Sequence, residues 1–444
     1  MKKTNQSRRK FLKNTTAMTA AGAAASSLPG SLALARSANV GGSDTLRIGL
    51  VGCGGRGTQA AKQAMNTEGN VELVAMADVF EDRMGRSLEG IREKHGEKVK
   101  VNGDSQFLGF DAYKRVIDSG IDMVLLTTPP GFRPLHFETA IDAGKHVFME
   151  KPVAVDAPGI RRVLKASKIA TEKNLAVAVG LQRRHEAAYR ETIKELKDGI
   201  IGDLLFSRVY WNGGGVWQYT RKPEQTELEY QMRNWYYFNW ICGDHIVEQH
   251  IHNLDVINWL LDDFPAVAQG QGGRQVRTGE DTGQIYDHHM IEYTYENGHK
   301  MISQCRHIRN TKNEVGEYVH GTKGYANIAR SKIYSPSGEL IFRSKGKRGG
   351  HQQEHHDLFA DIRNGILPNE GEYGAKSTMT AILGRLATYT GRELKWEEAI
   401  NSNISLCDVD AIKDFNSEPP LMPNDKGEYW VPMPGKNVEK TIDF

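Results

Sequence analysis

The 444-residue chain has only four cysteines, Cys53, Cys242, Cys305 and Cys407, and no two of them form a CxxC pair. That spacing excludes a zinc ribbon or a dithiol redox centre and leaves any disulfide pairing open. Net charge is nearly absent as well. The formal value is +2, and taking away the six Lys and Arg of the first 35 residues (Lys2, Lys3, Arg8, Arg9, Lys10, Lys13) leaves −4. Such a chain lacks the excess of positive charge that nucleic acid demands, so no nucleic-acid partner is expected. No HExxH motif occurs, and the adjacent pairs His288-His289 and His355-His356 point apart on any regular element. His245, Glu248 and His252 could share a helical face, but without a recognisable ligand motif no metal is expected. Internal repeats are missing too, and no stretch is long and apolar enough for a stable membrane span. With 39% hydrophobic residues the chain can bury a sizeable core, and its length suits two or three domains.

Residues 1–35 read as a targeting segment. A basic start, Ser7-Arg8-Arg9-Lys10-Phe11-Leu12-Lys13, leads into a mildly apolar Ala-rich run and ends at Ala33-Leu34-Ala35, a small-residue cleavage site. The segment resembles a twin-arginine export signal. It implies the twin-arginine export machinery as a partner and a periplasmic or otherwise exported location, with the mature chain beginning near Arg36.

The stretch Leu46 to Gly57, LRIGLVGCGGRG, organises the rest of the chain. An apolar run stops at Gly52, Gly54 and Gly57 and passes into the helix-like TQAAKQAM. Strand, tight turn and helix then offer unpaired N–H groups to an anion: Gly52 for the turn, Gly54 for backbone approach to a pyrophosphate, Gly57 for helix packing. The next apolar run, Val71 to Ala77, ends in Asp78, 21 residues beyond Gly57, where a dinucleotide fold places its ribose-binding acid. Gly55 and Arg56 belong to the same loop. An acid at Asp78 favours NAD, with NADP as the alternative because Arg56 stands nearby.

From residue 45 to about 174, short apolar strands alternate with helices, which predicts a doubly wound parallel sheet of the Rossmann type. Thr127, Thr128, Pro129, Glu150, Lys151 and Pro152 all fall at strand carboxyl ends and should converge with the glycine loop on one crevice. Over residues 175–410 longer strands and glycine turns predict an α+β domain on a large, open, mostly antiparallel sheet. Residues 411–444, with repeated prolines, read as a tail lying over the surface.

The set GLVGCGGRG, Asp78, TTPP, EKP at Glu150-Lys151-Pro152, and a later helix containing His252 resembles the glucose-fructose oxidoreductase, inositol dehydrogenase and rhizopine-catabolism (Gfo/Idh/MocA) family, from Leu46 to about residue 395. The resemblance implies hydride transfer between a nicotinamide and a sugar or polyol, with Lys151 at the active site. It also implies a second-domain sheet that supports homo-oligomers, a dimer or a tetramer. Read from the residues alone, Glu248 and His252 are four apart and Asp255 three further, a polar stripe on one helical face. Family members commonly carry Asp where Glu248 stands, one methylene shorter. The aromatic run that includes Trp211, Trp217, Trp235 and Tyr236 suits either a sugar-stacking wall or a core and subunit interface. Arg183 and Arg184, directly after a strand end, are candidate hydrogen-bond donors, and Trp235, Tyr236, Arg184 and Asp255 are the candidate substrate contacts. Lys151, His252 and Glu248 are the candidate catalytic groups.

The leading expectation is thus an exported NAD-dependent sugar or polyol oxidoreductase whose cofactor stays tightly bound, since free NAD is scarce outside the cytoplasm. An NAD-dependent glycosidase similar to glycoside hydrolase family 109, working by transient oxidation, would use nearly the same scaffold. A non-catalytic sugar-binding protein is the third reading, and the intact Lys151 and His252 weigh against it. Replacing Arg8 and Arg9 by Lys should leave the protein in the cytoplasm, which fractionation of the two compartments checks; unchanged export would overturn the signal assignment.

Overall fold

The structure is a computed structural model that describes residues 44–443, so the expected signal, residues 1–35, lies outside the described residues. The first apolar runs become strands because each is fully enclosed. β1 (Leu46–Val51), β2 (Val71–Asp78), β3 (Gln106–Leu108), β4 (Met123–Leu126), β5 (His146–Met149) and β6 (Val177–Val179) form one parallel sheet in the order β3-β2-β1-β4-β5-β6. All four residues of β4 are buried, as a strand covered by helices on both faces requires. Strand order reverses between β1 and β4, and that switch point opens the crevice at the strands' carboxyl ends. The parallel layer continues past residue 174, where the sequence pattern places the boundary, because the short apolar segment Val177–Val179 pairs along the free edge of β5. Beyond it, Val177 N–H donates to Pro368 O (2.8 Å) and Glu370 N–H donates to Val177 O (2.9 Å), covering the outer edge of β6.

The second sheet has nine strands. β7 (Leu204–Gly213), β8 (Pro265–Gly273), β9 (His288–Tyr295), β10 (Lys300–His307), β11 (Glu314–Gly321), β12 (Gly324–Asn327), β13 (Lys332–Tyr334), β14 (Leu340–Arg343) and β15 (Leu394–Lys395) run in the order β14-β13-β12-β11-β7-β10-β9-β8-β15. All its pairs are antiparallel except β7 with β10. The Rossmann sheet plus mostly antiparallel sheet expected from sequence is therefore observed. β11 to β14 are not separately legible in the sequence, because their short segments lie among glycines and charges. The helix Gly371–Thr390 is buried on nearly every side between the two sheets, and one apolar cluster containing Leu126, Val177, Ile246, Ile291 and Ile382 runs through both. Ile412, Tyr429 and Ile442 in the terminal segment are buried, so this tail is anchored into the molecule. No helix of the described residues is long and apolar enough to cross a membrane.

His185 locks the junction between these parts. Its Nδ1 lies 2.7 Å from Asp357 Oδ2, and its Nε2 lies 3.2 Å from Glu370 Oε1. Burial disfavours the charged ring, but the hydrogen bond to Asp357 and the nearby Glu370 carboxylate outweigh it and push the pKa up from 6.5 to about 9. Because the folded value lies above the unfolded one, the stabilisation is complete below pH 6.5 and is lost as pH rises through about 9. The slope in that window is about 1.4 kcal/mol per pH unit. His185→Gln should remove this part of the alkaline loss, seen as a smaller difference between urea unfolding midpoints at the two ends of the window.

Candidate functional site

The helix Gly55–Met65 starts directly after β1, and no side chain caps its N-terminus. Its close approach to β1 depends on missing side chains. A Cβ on Gly57 would lie 2.0 Å from Gly52 O and 2.4 Å from Thr127 Oγ1, while Gly52 has φ +97° and a Cβ there would lie 2.7 Å from the Thr127 carbonyl carbon. Thr127 Oγ1 donates to Gly52 O (2.6 Å), which fixes the loop to the end of β4. At Gly55 a Cβ would meet nothing within 4 Å, so the loop's outer side faces open space. At the end of β2, Asp78 accepts from Cys53 N–H (2.6 Å) and Phe80 N–H (2.9 Å). An uncapped helix start, a cradle that admits only glycine and a neighbouring carboxylate suit a dinucleotide.

A single cavity of about 1320 Å³ contains this loop and extends to Thr127, Thr128, Pro129, Glu150, Lys151, Glu248 and His252. Arg56, which stands near Asp78 in the sequence pattern, turns toward carboxylates. It donates to Glu150, Gln63 (2.6 Å) and Glu354 (2.8 Å). Burial alone would raise the Glu150 pKa, but Arg56, Lys151 and Arg133 hold it below the usual carboxylate value. Glu354, fully buried, is pushed well above it by burial and by the Glu150 charge. Arg56 is thus spent on two carboxyl groups beneath the loop.

Lys151, at the end of β5, donates to Glu248 Oε1 (2.9 Å) and to Glu248 O (2.6 Å). Glu248 sits on a π-helical turn, Ile246–His250, which precedes the α-helix Ile251–Leu261. Sequence spacing predicts one continuous α-helix here. The wider turn brings Gln249 to the cavity wall together with Glu248 and His252. His252 is 7% exposed, its ring stacks 6.2 Å from Trp211, and its Nδ1 has no hydrogen-bond partner. Burial first, then Lys151 and Arg183, hold its pKa well below that of free histidine, so the ring is neutral and able to take a proton. A neutral base, an ammonium and a carboxylate face one space beside the dinucleotide loop.

Three of the four candidate substrate contacts stand elsewhere. Arg184 and Asp255 do not line the cavity; they form a forked ion pair at 2.8–3.1 Å. Ser377 also donates to Asp255 (2.7 Å), and the guanidinium lies 4.0 Å from the Tyr373 ring centroid. The physical reason is the near-complete enclosure of the helix Ile251–Leu261: a carboxylate on its buried side must be paired. Tyr236 is likewise buried behind the wall, whereas Trp235, Trp217, Tyr219 and Trp211 line it. Arg183 pairs with buried Glu317. Sequence reasoning missed Arg83, Gln249 and His351 in the lining. Arg83 follows Asp78 by five residues in the first turns of the helix Glu81–His95, a placement that sequence could have exposed; His351 reaches the cavity only through tertiary packing.

Residues 46–181 match a family described as "Oxidoreductase family, NAD-binding Rossmann fold", Gfo/Idh/MocA. Among curated proteins, the inositol 2-dehydrogenase/D-chiro-inositol 3-dehydrogenase of Halalkalibacterium halodurans is 29% identical over 219 residues, covering 49% of this chain and 53% of that protein. The inositol 2-dehydrogenase 3 of Saccharopolyspora erythraea is 29% identical over 255 residues, 57% of this chain and 64% of that one. The chain thus spans between about half and two thirds of the length of these relatives. Among solved structures, Lactobacillus casei scyllo-inositol dehydrogenase with bound NAD(H) and scyllo-inositol superposes with a TM-score of 0.61 at 21% identity, covering 80% of this chain and 99% of that one. The Caulobacter crescentus aldose-aldose oxidoreductase complexed with glycerol gives 0.61 at 18%, covering 79% and 99%. These likenesses establish the fold over both sheets. Gly57→Ala should abolish copurification of a dinucleotide and weaken its binding by roughly 10-fold or more, because backbone must move to admit the methyl group; circular dichroism of the variant should be unchanged, and titration calorimetry measures the loss.

Proposed function

We propose that this chain, whose residues 46–181 match the NAD-binding Rossmann domain of the Gfo/Idh/MocA oxidoreductases, is an NAD-dependent dehydrogenase acting on a secondary hydroxyl of a sugar or polyol. The observation that carries the reading is the convergence of Lys151, Glu248 and neutral His252 in the same cavity as the glycine loop. Bound there, NAD supplies the hydride-accepting nicotinamide. Lys151, steered by two bonds to Glu248, donates to the reacting oxygen and holds it in place. His252 takes the hydroxyl proton, for which its lack of positive charge fits it. Glu248, with one methylene more than aspartate, spans the distance to Lys151 and balances its charge. Trp211, Trp217 and Trp235 offer apolar faces to the C–H surface of a ring substrate.

Retention of the nucleotide is part of this reading. The segment that includes Trp217, Tyr219, Lys222, Gln225 and Arg233 walls the crevice. Arg233 lies 3.3 Å from Asp82 and 4.0 Å over the Phe80 ring, and Phe415 of the terminal tail stacks on Phe80 at 5.1 Å. A cofactor beneath this roof leaves slowly. Such retention suits a protein exported already folded, as the first 35 residues suggest. NAD is preferred over NADP, because the Asp78 carboxylate repels a 2′-phosphate and Arg56 is committed elsewhere. Exposed Leu205, Phe206, Met290 and Val315 on the strands of the second sheet support a homo-oligomer.

Purified protein incubated with a panel of polyols, sugars and glycosides should reduce its bound NAD with at least one polyol or sugar. Glycoside cleavage without net reduction would instead favour the redox-based glycosidase. Lys151→Ala and His252→Ala should each lower turnover by roughly 10²-fold or more with the nucleotide still bound. In the wild type, the acid limb of kcat/KM should lie below the ordinary histidine value of about 6.5. A fully active Lys151→Ala enzyme would remove the centre of this mechanism.

A further inference from the structure

Behind the cavity lies a second, buried polar cluster. Asp244 has φ +79° and precedes the π turn; its side chain and those of His245 and His289 are wholly buried. One oxygen, Oδ2, accepts from Tyr286 N–H (3.0 Å) and from the Tyr389 hydroxyl. The other, Oδ1, accepts from His245 N–H and faces two ring nitrogens, His245 Nδ1 at 2.8 Å and His289 Nε2 at 3.3 Å. Neither of those nitrogens makes a hydrogen bond of acceptable geometry, and His245 Nε2 is also without a partner. None of the three residues lines the cavity of the proposed active site.

The tautomer of His289 can be worked out from its other side. His289 Nδ1 lies 2.9 Å from Thr388 Oγ1, and that hydroxyl spends its single hydrogen on the carbonyls of its own helix, Arg385 O (2.9 Å) and Gly384 O (3.2 Å). With its hydrogen on a helix carbonyl, Thr388 accepts, and His289 Nδ1 then carries the hydrogen. In a neutral ring the Nε2 lone pair then points at a carboxylate oxygen, an arrangement that is repulsive unless a cation stands between them. The three ligand atoms all lie within 4.8 Å of one another. Zinc bonds of about 2.0–2.2 Å to nitrogen and oxygen in a tetrahedron place ligand atoms about 3.3 Å apart, within that reach.

We propose that Asp244 Oδ1, His245 Nδ1 and His289 Nε2 bind a divalent transition-metal ion of the zinc class in a structural site separate from the active site. The supports around it are those a metal site needs. Thr388 orients one histidine, and Tyr286 and Tyr389 orient the carboxylate. An imidazole and carboxylate donor set suits zinc rather than calcium or magnesium. The ion ties the start of the π turn to β9. His307, stacked at 4.3 Å on the His245 ring, holds the Gln249 side chain by a 2.8 Å contact from its Nε2. The site thereby steadies the turn that presents Glu248 and Gln249 to the cavity.

The test uses the full chain with its bound nucleotide. Elemental analysis after dialysis against metal-free buffer should find stoichiometric zinc. Dipicolinate treatment should remove it and lower Tm, and added zinc sulfate should restore both. Cobalt(II) bound to the chelator-treated wild type should show the visible absorption of a tetrahedral site. Thr388→Val should weaken zinc binding by roughly 10- to 100-fold, the usual cost of losing a hydrogen bond to a ligand, and His289→Gln and Asp244→Asn by more. If the last two fail to fold, the wild-type cobalt spectrum and the Thr388→Val affinity decide the matter. Chelator-treated wild type that binds neither zinc nor cobalt, with unchanged Tm, would overturn the proposal. Zinc held equally by the Thr388→Val and His289→Gln proteins would overturn it as well, by placing the metal elsewhere.

Discussion

The bond pair from Lys151 to Glu248 joins the two halves of the molecule at the cavity. One end leaves the chain two residues past the parallel strand β5; the other sits on a helix of the second domain. An ammonium with 13% of its side chain exposed cannot stand alone in a cleft. Its partner must therefore be held at the same depth, and the π turn does so by giving both the carboxylate and the main-chain oxygen of one residue to the same nitrogen. The register of the buried helix Ile251–Leu261, the Arg184–Asp255 pair and the packing of the helix Gly371–Thr390 all serve to keep that turn in place.

Charge inside this protein is managed by sharing. Arg56 divides its donors between Glu150 and Glu354, and Arg183 binds Glu317 together with Tyr189 and Asn253. Each cluster places an arginine, with its fork of donors, where a carboxylate would otherwise be stranded. The consequence for the cavity is that the donors of Arg56 are already engaged. Lys151 and His252 keep the freedom to meet a ligand: the lysine retains a third hydrogen, and the histidine lies against the cavity without charge.

What sequence made legible was local. Glycines at Gly52 and Gly57, an acid at the end of β2 and a lysine at the end of β5 depend on chain direction and strand ends, and both leave a pattern. The Glu248 and His252 pairing was also readable, although through an α-helical spacing that the π turn modifies. Arg184 and Asp255 carried the same polar signature as functional groups, yet they meet across 71 residues of chain in a place with no cavity. Burial of a charge and exposure of one to a ligand look alike in a sequence; only packing separates them. Asp244 and His289 fall in the same class, since a turn and a strand that are 45 residues apart bring them together.

The cover on β6 has a consequence for how the chain can be divided. Its outer edge is paired by residues Pro368 and Glu370, just over 190 positions further on. A fragment ending near residue 181 would contain the glycine loop, Asp78 and Lys151, yet it would present an unpaired, wholly apolar strand edge to its neighbours. Such an edge is a template for strand addition between copies. In synthesis the first sheet must therefore wait for the distant segment before that edge is closed.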